Sequence, residues 1–94
     1  MGADRRSRAA TEFQATVMVE TAYLLVKLDR STPAEVARHV RRIPGVIEAA
    51  VTMGDVDVLA LARDESTKGL ADIGHAVEKI EGVARVAICV VVRP

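Results

Sequence analysis

Tryptophan is absent from the chain, and phenylalanine and tyrosine occur once each. Half of the residues are nonetheless apolar, so a core must be built from Val, Ala, Ile and Leu. The shortage of aromatics argues against RNA binding on a sheet surface, which stacks bases on strand aromatics. Only Tyr23 lies in a strand-like run, with Phe13 near the start. Cysteine is as scarce. The single Cys89 leaves no internal disulfide and fits a reducing cytoplasm. It sits in an apolar strand-like run, where a buried filler is expected.

Charge of one sign is also missing, since 13 basic residues balance 13 acidic ones. Direct nucleic-acid binding is therefore not expected. The basic cluster Arg5, Arg6 and Arg8 belongs to a stretch, residues 1–14, that is expected to be a disordered tail. Residues 15–94 are expected to form a single domain, and Met18 is a second possible start. No apolar run is long enough to span a membrane. The opening residues do not resemble a signal peptide, which points to the cytoplasm. There is no cysteine pair or histidine-rich cluster to hold a metal, and no cofactor is implied. No serine elbow is present either. His39 stands in a polar stretch and is expected in solvent; His75, flanked by apolar residues, is expected in packing or an interface.

What is present is a strong pattern. Residues 16–28, TVMVETAYLLVKL, suit a strand. Thr32, Pro33 and Glu35 then form a helix start, with Thr32 as cap, Pro33 in the first turn and Glu35 closing a capping box. Val36, Val40 and Ile43 follow at helical spacing, and Pro44-Gly45 stops the helix. Residues 46–53 and 56–63 suit two strands joined by a turn at Gly54-Asp55. Ser66 or Thr67 caps a second helix whose face carries Leu70, Ile73, Val77 and Ile80. Gly82 ends it, and residues 83–93 suit a last strand. Arg38, Arg41 and Arg42 fall on the outward side of the first helix.

The chain also echoes itself. Ile43-Pro44-Gly45-Val46 matches Ile80-Glu81-Gly82-Val83, each ending a helix and launching a strand. Two such units give the α+β, ferredoxin-like split βαβ arrangement, βαββαβ. Right-handed crossovers place both helices on one face of its antiparallel sheet. An open sheet with a wet face should alternate apolar with polar. Here Leu24 and Val26 oppose Tyr23 and Leu25. Val58, Ala60 and Ala62 oppose Leu59 and Leu61. Val86, Ile88, Val90 and Val92 oppose Ala87, Cys89 and Val91. Both faces are apolar, and the helices cover only one. A second subunit is the economical cover for the other.

The stretch MGDVDVLA, residues 53–60, is the candidate site. Gly54 and Asp55 suit a tight turn. Asp57 is out of place at a strand start. It serves there as a solvated strand end, or as an acceptor for a ligand ammonium or for backbone N–H groups.

Taken together, AYLLVKL at 22–28, VRRIPGVIEAAVTMGDVDVLALA at 40–62 and VEKIEGVARVAICVVV at 77–92 resemble the ligand-sensing, or RAM, domain of the Lrp/AsnC transcriptional regulators. The resemblance covers most of the chain and rests on I-P-G-V, then G-x-x-D, then a second I-x-G-V. It implies a homodimer formed through the sheets, assembly of dimers into octamers, and an amino acid bound between dimers near the hairpin loop. Ligand-binding residues then fall on Met53, Gly54, Asp55, Val56 and Asp57. Family members commonly carry a large residue where this chain has Val56. No helix-turn-helix pattern precedes the first strand here, so the resemblance is to a stand-alone form. Such a form is an oligomeric sensor, or a modulator of full-length family regulators. The competing readings are a small dimeric ferredoxin-like enzyme and a structural assembly protein without a ligand.

Overall fold

Strict alternation makes the first strand. In the computed structural model, which describes residues 19–92, β1 (Glu20–Leu28) buries Ala22, Leu24 and Val26 completely and leaves Tyr23 45% exposed. The expectations for residues 1–14 and for a strand beginning at Thr16 lie outside the described residues. α1 (Pro33–Arg41) follows with Val36, Ala37 and Val40 buried. Then come β2 (Val46–Val51), β3 (Val58–Asp64), α2 (Thr67–Glu78) and β4 (Val83–Val90).

The strands form one antiparallel sheet in the order β2-β3-β1-β4. This is the ferredoxin-like βαββαβ fold. α1 packs on β2 and β3, and α2 on β4, β3 and β1. Leu70, Ile73 and Val77 of α2 close the core against the buried residues of β1 and β3, and among the described residues no polar side chain is buried with them. Gly74 lets α2 approach the sheet, because a Cβ there would collide with the Ile88 side chain.

The internal repeat has a geometric meaning. Gly45 and Gly82 take φ of +97° and +94°, values that side chains rarely tolerate. Each then turns its carbonyl to the other half of the molecule, Gly45 to β3 and Gly82 to the residue just past β1. Gly45 accepts from Arg63 N–H at 2.8 Å, just after the helix of the first unit, and Gly82 accepts from Asp29 N–H at 2.7 Å, just after the helix of the second. The two halves are thus stitched to each other by the same device used twice.

Several expectations need correction. Thr32 is the N-cap of α1, but its side chain makes no capping hydrogen bond. The capping role is taken in α2, where Ser66 Oγ accepts from Gly69 N–H at 3.0 Å. β2 stops at Val51 and β3 starts at Val58, so the hairpin has a wider loop than a two-residue turn. β4, expected over residues 83–93, ends at Val90. Cys89 is exposed, not buried, because β4 turns it to the face without helices. His75 is exposed on α2, as His39 is on α1.

The uncovered face is apolar along its centre. The strand register aligns Glu48, Leu61, Tyr23 and Cys89 in one row across the sheet and Ala50, Leu59, Leu25 and Ala87 in the next. Leu25, Leu59 and Leu61 are half-buried only by their neighbours in the sheet. Lys27 with Arg85 at one end, and Arg63 at the other, carry the same face out to charged rims.

Candidate functional site

The hairpin loop is shaped by two residues that hold it and three that it displays. Thr52 N–H donates to the Asp57 carbonyl at 3.0 Å. Thr52 Oγ1 donates to the Val56 carbonyl at 2.8 Å. These bonds close the ladder at Thr52 and Asp57 and leave Met53 to Val56 as the connection. Gly54 takes a φ of +133°, with open space where a Cβ would stand. Met53 is 99% exposed, and Gly54 and Asp55 are exposed beside it. Asp55 does not close the turn; Thr52 and Asp57 do.

Asp57 is the anchor. Its N–H donates to the Val26 carbonyl at 2.9 Å. Its Oδ2 accepts from Leu28 N–H at 2.8 Å. With the bond to Thr52, its amide, carbonyl and carboxylate are all engaged. The tension between an Asp and a strand start is resolved in this way: Asp57 is not in β3, but is the last loop residue, holding the loop to the end of β1. The carboxylate meets the last amide of that strand where β3 no longer supplies a pairing partner. Of the roles open to it from sequence, the structure shows the acceptor of a backbone N–H. The Leu28 side of that contact had no signal in the sequence, because it joins residues 29 apart.

A cavity of about 630 Å³ opens at the same end of the sheet, between the Asp29–Thr32 segment, Glu35, His39 and the Ile80–Gly82 turn. A shallow depression of about 180 Å³ lies on the uncovered face around Tyr23, Leu59 and Leu61. A groove of about 340 Å³ runs between α1 and β2. None of the three is lined by residues 53–57. Among the described residues there is no group of His, Cys, Asp and Glu able to hold a metal ion. No helix among them is long and apolar enough to cross a membrane.

The described residues thus form a ferredoxin-like domain with one helix-covered face, one bare apolar face and an anchored, displayed hairpin loop. The chain belongs to the Lrp/AsnC ligand binding domain family, whose model matches residues 21–94. It is a ligand-binding domain of the kind found in that family of regulators. Among solved structures it resembles TTHA0845 from Thermus thermophilus, with a TM-score of 0.73 and 24% identity over 80% of this chain and 95% of that one. It also resembles a feast or famine regulatory protein of M. tuberculosis complexed with L-methionine, with a TM-score of 0.71 and 20% identity, covering 86% of this chain and 55% of that one. A third is the transcriptional regulator NMB0573 from Neisseria meningitidis, again in complex with L-Met, with a TM-score of 0.67 and 18% identity over 79% of this chain and 50% of that one. A comparison with the curated proteins returns no match.

Proposed function

We propose that this domain binds a free amino acid at the Met53–Asp57 loop and acts as an oligomeric sensor or modulator of transcriptional regulators in the cytoplasm. The observation that carries the reading is the threefold engagement of Asp57, which fixes a loop whose tip residues are left exposed. A displayed loop held this firmly is suited to a ligand that needs both donors and acceptors. An amino acid has an ammonium and a carboxylate to satisfy together. The loop carbonyls and the free Asp55 carboxylate suit the first, and N–H groups around Gly54 suit the second. Val56, half-buried, contributes a small apolar wall. Asp57 serves by position, not by contact with the ligand.

None of the three depressions described above is lined by the loop, and the rest of the pocket is assigned to another subunit. The bare face around Tyr23, Leu25, Leu59 and Leu61 makes the homodimer, and a ligand at the junction between dimers favours a larger assembly, an octamer, by mass action. Full-length family regulators are a second class of partner for the same surfaces, and the described residues do not themselves contact DNA. The two relatives with L-methionine bound support the ligand class.

The test is a calorimetric screen of the free amino acids, run alongside light scattering after gel filtration. Binding tighter than about millimolar, with growth of the assembly on ligand addition, is the expected outcome. No binding by any amino acid, with a stable oligomer, replaces the sensor reading with that of an assembly protein.

A further inference from the structure

The groove between α1 and β2 has a chemistry that the amino-acid site does not use. Its floor is made of small residues, Ala34 and Ala37 of α1 and Ala49 of β2, with Glu48 and Ala50, which turn to the other face of the sheet, and Val51 along the rim. Two guanidinium groups, Arg38 and Arg41, line it one helical turn apart, and neither forms a salt bridge among the described residues. β2 is also an edge of the sheet, with β3 on one side only. Its Val51 is 50% exposed and its Ile47 47% exposed. The outward backbone at the middle of that edge is covered by one contact: Arg41 Nη2 donates to the Ala49 carbonyl at 2.7 Å.

We propose that this groove docks an extended acidic segment of another protein, added as a strand to the β2 edge. An added strand alternates its side chains between the two sheet faces. Those turned toward α1 meet Arg38 and Arg41, and carboxylates at alternate positions match two unpaired guanidinium groups. Alanines beneath leave room for their stems. Those turned toward the other face meet Glu48, which favours a basic or neutral residue there and rejects an acid. The fitting sequence therefore alternates acidic with non-acidic residues. Arg41 acts as a latch. A neutral strand would have to displace it from Ala49 without compensation, whereas an acidic one offers the guanidinium a carboxylate in exchange. The Ala49 carbonyl then accepts an N–H from the incoming strand. An undefended edge invites any strand, and the latch restricts the choice to acidic ones.

The site shares no residue with the Met53–Asp57 loop, so it is tested separately. The probe is a fluorescein-labelled, end-capped peptide of alternating glutamate and valine, about eight residues long, the length of a common strand. Anisotropy with the full chain should rise on titration with this peptide and stay flat with a lysine–valine counterpart. Arg38→Glu, at an exposed position, should weaken binding by about tenfold or more, since it removes an attraction and adds a repulsion. Circular dichroism verifies that the variant is folded. A proline at the centre of the peptide should abolish binding, because it removes a strand N–H. Arg41→Ala should admit a neutral threonine–valine peptide that the parent chain refuses. Equal binding by Arg38→Glu, or by the proline peptide, would overturn the proposal. So would displacement by a single-stranded oligonucleotide as effective as by unlabelled peptide, which would make the groove a general anion site.

Discussion

Asp57 shows how much one side chain can hold. Its carboxylate is the partner of the half-buried Leu28 N–H. Replacing it with alanine leaves that donor unmatched, which costs about 1–3 kcal/mol. Asparagine keeps an oxygen at the same place and should recover most of the loss. Urea unfolding of Asp57→Ala and Asp57→Asn measures the difference. Amino-acid affinity should follow the same order, because the loop is positioned through this bond. If both variants bind ligand as the parent does, the loop is not the site. Gly45 and Gly82 are a second case at this scale. Alanine at either must take a φ near +95° on L-residue geometry, for about 1–2 kcal/mol each. At Gly82 the added Cβ also meets Ser31. Both carbonyls bond across to the other half of the molecule, so the losses should appear in global unfolding and not as local fraying.

At the scale of elements, the two helices begin differently although their sequences suggest the same start. Ser66 caps α2 with its hydroxyl, aided by Asp64, whose Oδ2 accepts from Ser66 N–H at 3.1 Å. Thr32 stands at the equivalent place in α1 without such a bond. Ser66→Ala should therefore cost about 1 kcal/mol, while Thr32→Ala should cost little. Thermal unfolding of the pair distinguishes them; equal losses would mean that Thr32 does cap in solution. Packing between elements is tight where α2 crosses β4 at Gly74. Leucine there must push Ile88 aside, and overpacking of this kind costs about 1–3 kcal/mol.

At the scale of the whole molecule, the described residues leave one face of the sheet without a cover. Residues of both apolar rows on the uncovered face remain exposed or half-exposed, while the covered face is closed by helices. An assembly through that face should be broken by a charge at its centre. Leu59→Glu should move light scattering toward the mass of one chain while circular dichroism retains both helix and sheet. A variant that keeps the parent's mass would place the interface elsewhere. The same substitution should weaken amino-acid binding without touching the loop, because a junction between dimers needs dimers.

Periodicity by itself determined the order of the elements, the two faces of each strand and the fold class. Leu24 and Val26 against Tyr23 and Leu25, or Leu70, Ile73 and Val77 along one helical face, are patterns set by local geometry. The paired Ile-x-Gly-Val segments located both helix ends for the same reason: the glycine there permits the positive φ that Gly45 and Gly82 adopt. Tertiary structure decided what depends on residues far apart in the chain. That Cys89 is exposed follows from which face the helices cover. That Arg41 guards Ala49 follows from the packing of α1 along an edge strand. The loop around Met53–Asp57 was visible as a turn rich in acid, but its width and the role of Asp57 were not. Those were settled by the amide of Leu28, which the folded sheet brings within hydrogen-bonding distance of a carboxylate that sequence alone leaves free to face solvent or a ligand.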